Sequence, residues 1–165
     1  MVGLRERALR ERAWAAAAGV VDPEIPVLTI EDLGVLREVV VEGDGVEVRI
    51  TPTYSGCPAM GVIALEVELA LARAGIGQAR VTTVMAPAWT TDWMSEAGRA
   101  KLLAYGIAPP PRAAGRRALF ATEVAGCPRC GSEDTVLLAE FGSTACKSLW
   151  QCRACREPFD QFKCH

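Results

Sequence analysis

The sequence predicts an α/β fold: a compact two-layer domain of order α-β-β-α-β-α, followed by a small cysteine-rich β module. Three observations carry this expectation. Helix-period and strand-period segments alternate over the first two-thirds of the 165 residues. The segment IAPPPRAAGRR then interrupts them with three consecutive prolines and a glycine. Beyond it, six of the seven cysteines fall between Cys127 and Cys164. The expected organisation is a domain over residues 1–108, a linker over 109–118 and a module over 119–165.

Residues 4–20 suit a helix, with Leu4, Ala8, Leu9 and Trp14 or Ala15 near one face and Arg/Glu on the other. Pro23 and Pro26 break it, and Gly34 allows a turn. VLREVVVEGDGVEVRITP reads as two β-branched strands joined at Gly43-Asp44-Gly45, residues that tolerate positive φ. A helix is expected from about Pro58 to Ala74, since proline fits the first helical turn. ARVTTVMAP is a third strand. Thr91 or Asp92 is expected to cap a last helix that ends at Gly106. In the module, TVLLAEFG and KSLWQ are strand-like and suit a hairpin.

Composition narrows the function classes. A net charge of −2 gives no electrostatic case for nucleic acid or an acidic membrane surface. From Arg112 onward the chain carries 8 Lys/Arg against 6 Asp/Glu, a weak basic footprint of +2. No run approaches the roughly 18–20 apolar residues of a membrane span, and the start does not resemble a signal peptide. A cytoplasmic location is therefore expected, where cysteine pairs more often bind metal than form disulfides. No nucleic-acid or membrane partner is expected, and self-association is left open.

The cysteines have metal-ligand spacing. Cys127-Pro-Arg-Cys130 and Cys152-Arg-Ala-Cys155 are two C-x-x-C turns. Each folds back to aim two sulfurs at one point, and two such turns supply a closed tetrahedral set, a zinc-ribbon-like arrangement. A module of about 45 residues has too small a core to stand alone, so the metal would supply folding energy. Zinc is expected; iron or an iron–sulfur cluster is the alternative for four thiolates. Cys146, Cys164 and His165 are candidates for additional ligands, against a reading as small buried residues and a chain end.

Cys57 stands apart from the others, between Gly56 and Pro58 where the second helix is expected to begin. Helix N–H groups and dipole would lower a thiol pKa there and favour thiolate chemistry or metal binding; the competing reading is simple core packing. Thr51, Thr53, Tyr54 and Ser55 surround it with hydroxyls. Asp22 and Glu24 bracket Pro23 in a loop that could fold near Cys57, either to hold a metal or steer a partner, or as plain turn chemistry. Trp89 and Trp93 are expected to pack, or to serve as docking anchors if exposed.

DPEIPVLTIEDLG, TPTYSGCPAM and the closing CPRCGS…STACKSLWQCRACREPFDQFKCH resemble the PaaD family over nearly the whole chain. These are components of bacterial phenylacetate degradation associated with the phenylacetyl-CoA epoxidase. The first domain alone resembles the wider family of small iron–sulfur assembly proteins, whose T-x-x-x-C-P-type loop appears here as Thr53-Tyr54-Ser55-Gly56-Cys57-Pro58. The resemblance implies an accessory role in maturing or assembling a metal centre of the oxygenase, with oxygenase subunits or other maturation factors as partners. It places Asp22, Glu24, Thr53 and Cys57 at the binding site, with Cys57 as the functional thiol and no catalytic residue assigned. The alternatives are an iron-centre electron-transfer component and a structural adaptor joining oxygenase subunits. An independent hydrolase or transferase is not expected: the sole histidine is His165, so no Ser-His-Asp or Cys-His set can be built in the body of the chain.

Overall fold

The structure is a computed structural model, and it describes residues 2–111 and 124–163. The chain divides into two compact units, Met1–Trp89 and Thr90–His165.

In the first unit, α1 (Val2–Ala18) precedes a hairpin of β1 (Leu36–Glu42) and β2 (Gly45–Ile50). Glu42 pairs with Gly45, so Gly43 and Asp44 make the two-residue turn, and Gly43 takes the positive φ of 63° that such turns require. A crossover through α2 (Met60–Arg73) then lays β3 (Ala79–Thr83) parallel to β2. The sheet order is β1-β2-β3. Alternation along the hairpin buries Val39, Val41, Val46, Val48 and Ile50, while α1 supplies Ala13 and Ala17 and α2 supplies Ile63, Val67 and Leu71. The two helices pack on each other and on the sheet, giving the expected two layers.

The loop between α1 and β1 is itself part of the core, with Ile25, Leu28, Ile30 and Leu33 buried. Its polar groups are tied locally. The Asp22 carboxylate accepts from the Glu24 and Ile25 N–H groups, each at 2.8 Å, and Thr29 and Asp32 cap one another's backbone. Trp89 is a packing residue: it is buried, and its indole N–H donates to the Leu33 carbonyl at 2.7 Å.

The second unit opens with a short 3-10 turn over Thr91–Trp93, followed by α3 (Glu96–Tyr105). The expected cap at Thr91 or Asp92 is corrected to Ser95, whose Oγ accepts from the Gly98 N–H at 2.9 Å. The 3-10 turn uses Thr91 and Asp92 for itself, so the α-helix starts one turn later. Gly106 ends α3 as expected, at φ 87°.

Next come β4 (Ile107–Ala108), β5 (Thr135–Ala139), β6 (Lys147–Cys152) and β7 (Pro158–Phe162). Among the described residues they form one sheet of order β4-β7-β6-β5. The expected β5–β6 hairpin is present, with Thr135 opposite Cys152, and β7 adds to it antiparallel, pairing Trp150 with Phe159. β4 runs parallel to β7. That pairing is why α3, expected from the sequence in the first domain, falls with β4 in the second unit. Most of the expected 109–118 linker lies outside the described residues. No described helix is long and apolar enough to cross a membrane.

Candidate metal centre and thiol site

The cysteine centre is built from two matching turns. In the first, the Cys127 N–H donates to the Ser132 carbonyl and the Gly131 N–H returns to the Cys127 carbonyl, both at 2.9 Å. In the second, the Cys152 N–H donates to the Glu157 carbonyl at 3.0 Å, and the Cys155 N–H points at the Cys152 sulfur at 3.4 Å. Each turn closes through a left-handed residue directly after its second cysteine: Gly131 at φ 74° and Arg156 at φ 67°. Glycine adopts that conformation freely, whereas a side chain resists it. An ion pair at 2.7 Å between Arg129 of the first turn and Glu157 after the second joins the two.

The sulfurs of Cys127, Cys130, Cys152 and Cys155 all lie within 4.8 Å of one another. Cys127 to Cys155 is 3.7 Å and Cys130 to Cys152 is 3.6 Å. A disulfide would need about 2.05 Å. A tetrahedron with Zn–S bonds of about 2.3 Å has edges of about 3.8 Å, so these distances fit four ligands of one ion. Cys127 and Cys152 also belong to the buried cluster with Ala108, Ala125, Trp150 and Phe159, so the ligands form part of this unit's core.

The electrostatics suit a cation. At Cys152 the Cys155 backbone N–H stabilises the thiolate, helped by the Cys130 and Cys155 thiols, and the pKa falls to about 7. Cys155 moves the other way. The Glu157 N–H opposes the rise, but burial and the neighbouring thiols of Cys152, Cys127 and Cys130 outweigh it, pushing the thiol up to about 12. Charge on one sulfur thus discourages charge on the next, and a divalent ion bound to all four would release protons.

The structure separates Cys146 from this centre. It lies just before β6, buried, with its sulfur 3.0 Å from the Thr144 hydroxyl. Six residues of extended chain, about 20 Å at strand rise, separate it from Cys152. Cys146 is therefore not an additional ligand of the four-sulfur site. Cys164 and His165 lie outside the described residues.

Cys57 sits in the first unit, half-buried, in the turn between β2 and α2. Its N–H donates to the Tyr54 carbonyl at 3.2 Å. The expectation of a lowered thiol pKa is corrected: burial pushes it up, the Ala59 N–H counters, and the charges of Glu24 and Asp22 raise it further, with the Tyr54 side chain opposing. The helical residues begin only at Met60, after an Ala59 cap, so Cys57 precedes the helix and meets a single N–H of its end. The structure does bring Asp22 and Glu24 to Cys57, close enough to act on its charge. They do not complete a metal shell with it; among the described residues, the ribbon cysteines are the group whose ligand atoms converge. Thr53 is half-buried in the same loop, whereas Thr51 is buried beneath it.

Sequence reasoning did not single out Arg156, Ser132 or Glu157 as parts of the metal turns. The signal available was symmetry: glycine follows Cys130, so the residue after Cys155 should share its backbone conformation.

Comparison with known proteins agrees with this division. Residues 10–85 match the family model described as iron–sulfur cluster assembly protein, and residues 111–163 match the PaaD zinc beta ribbon domain. The chain is 50% identical over 153 residues to an Escherichia coli (strain K12) protein named as a component of 1,2-phenylacetyl-CoA epoxidase, covering 92% of this chain and 90% of that one. It is 38% identical over 104 residues to the Bacillus subtilis Fe-S protein maturation auxiliary factor YitW, covering 62% of this chain and 98% of the relative. A crystal structure of a DUF59 domain from Bacillus anthracis superposes with a TM-score of 0.57 at 25% identity, over 61% of this chain and 96% of that one. An assembly-type α/β unit carrying a cysteine-bearing loop and a four-thiolate ribbon, together with identity along nearly the full length, place this chain in the PaaD family.

Proposed function

We propose that this protein is an accessory factor of a phenylacetyl-CoA epoxidase system that aids maturation or assembly of a metal centre in the oxygenase. The observation that carries the reading is the environment of Cys57: a half-buried thiol with two carboxylates acting on it, in a unit of the iron–sulfur assembly type. Burial and the two negative charges keep the sulfur protonated at rest. The same charges attract a cation, so an arriving iron species would displace the proton and bind the thiolate transiently. Iron or a cluster is here cargo and is handed on. Tyr54 and Ala59 support the sulfur, and Asp22 is held by its turn hydrogen bonds.

The ribbon takes a separate role. Zinc, when bound, supplies folding energy and closes the fold. The sulfur spacing supports one ion over a multi-iron cluster, whose thiolates would sit on different metals and spread further apart. Four ligands leave no open position for substrate.

The test expresses the epoxidase in cells with wild-type protein or with Cys57→Ala, then measures iron content and activity of the purified oxygenase. Loss of both with the variant is expected. Equal metallation and activity would sink the proposal.

A further inference from the structure

α2 has two apolar faces, and the fold uses one. Ile63, Val67 and Leu71 are buried against the sheet and α1. At 100° per residue, Val62, Leu65 and Leu69 form a stripe on the opposite side of the helix. They are 50%, 55% and 40% exposed. A surface helix normally turns charge to water on that side. Here the charge flanks the stripe, with Glu66 along one border and Glu68 along the other. Both are exposed, and neither has an ion-pair or hydrogen-bond partner among the described residues. The stripe begins two residues into a helix whose first residue is three past Cys57, where Glu24 and Asp22 add negative charge. The one basic residue of α2 is Arg73, at the far end.

We infer that this face of α2 is the docking surface for a client protein, and that the client presents an amphipathic segment with apolar side chains flanked by lysine or arginine. The inference rests on the maturation role proposed above and names the chemistry of the partner. Charge selects the occupant. A second copy packed α2 on α2 about a two-fold axis near Leu65 would bring Glu66 and Glu68 against their own mates, so like charges would meet at the centre. A segment with basic flanks neutralises both glutamates while its apolar side covers Val62, Leu65 and Leu69. Seated there, the client also reaches the end of the helix where Cys57 holds its cargo.

The test is calorimetric titration of the full-length protein with the purified remaining subunits of a phenylacetyl-CoA epoxidase from the same host. The double variant Leu65→Asp/Leu69→Asp should raise the Kd at least tenfold. Glu66→Lys/Glu68→Lys should raise it at least fivefold and flatten its dependence on salt. Both sites are exposed, and unchanged thermal melts show that the variants fold. Wild-type affinity in both variants overturns the inference, as does a wild-type protein that binds none of the subunits. A wild-type dimer that Leu65→Asp converts to monomer assigns the face to a second copy and overturns it too. The proposed function stands or falls separately, on oxygenase metallation with Cys57→Ala.

Discussion

The two metal turns make a paired prediction of opposite sign. Gly131 and Arg156 occupy equivalent positions at φ 74° and 67°. A side chain in the left-handed region costs roughly 1–2 kcal/mol, and replacing glycine by alanine returns about 0.4–1 kcal/mol through the unfolded chain. A Cβ added at Gly131 meets nothing within 4 Å, so Gly131→Ala carries the torsional cost without a clash. The balance is a loss of about 0.5–1 kcal/mol for Gly131→Ala and a comparable gain for Arg156→Gly. Folding of the turns and metal binding are coupled, so the difference reads out in affinity, where 1.4 kcal/mol is tenfold. Competition against a zinc chelator at fixed pH should show Gly131→Ala weaker by about two- to fivefold and Arg156→Gly tighter by a similar factor. Shifts of the same sign in both variants, or a neutral Gly131→Ala, refute the strain argument.

Two further outcomes follow from the sites. Stripping the metal with a strong chelator should remove the cooperative melt of the second unit and leave that of the first, because Cys127 and Cys152 belong to the core cluster of the ribbon alone; a single unchanged melt after complete metal loss would refute the structural role. At Cys57 the carboxylates raise the thiol pKa, so Glu24→Gln or Asp22→Asn should lower it and speed alkylation of this cysteine at neutral pH, followed by peptide mass spectrometry. Slower alkylation in both variants would reverse the assigned sign. The same shift sets a stability trend. The fold favours the protonated thiol below the ordinary thiol range, and that contribution disappears as pH rises through the folded value.

What the sequence discloses here tracks how local the physics is. The β1–β2 turn at Gly43-Asp44 and the C-x-x-C turns are each specified within a few residues, so the hairpin and the four ligands are readable in advance. β7 and β4 are not. PFDQF opens with proline, and Ile107–Ala108 is two residues long, so neither carries a strand period. They become strands only by pairing with partners brought in by the fold, and β4 thereby assigns α3 to the second unit. The thiol pKa of Cys57 was illegible for a related reason. Position beside a helix start argues for a thiolate, but burial and the approach of Glu24 and Asp22 from more than thirty residues away decide the opposite.

The contrast between the two sulfur sites argues for dividing the work between them. In the ribbon, four sulfurs within 4.8 Å surround one position, and Cys127 and Cys152 also hold the backbone turns and the core in place. Releasing an ion from that site would cost the unit its fold, so it is poorly suited to cargo that must be passed on. Cys57 has the converse properties. It is a single ligand, half-buried, on a turn where one backbone N–H, that of Ala59, meets its sulfur, and its charge state is poised by carboxylates from another loop. One thiolate bond can form and break without unfolding anything, and the client inferred for the adjoining face of α2 would supply the competing ligands. Stability and exchange place opposite demands on a metal–sulfur bond, and under the proposed function this chain would meet them with different cysteines.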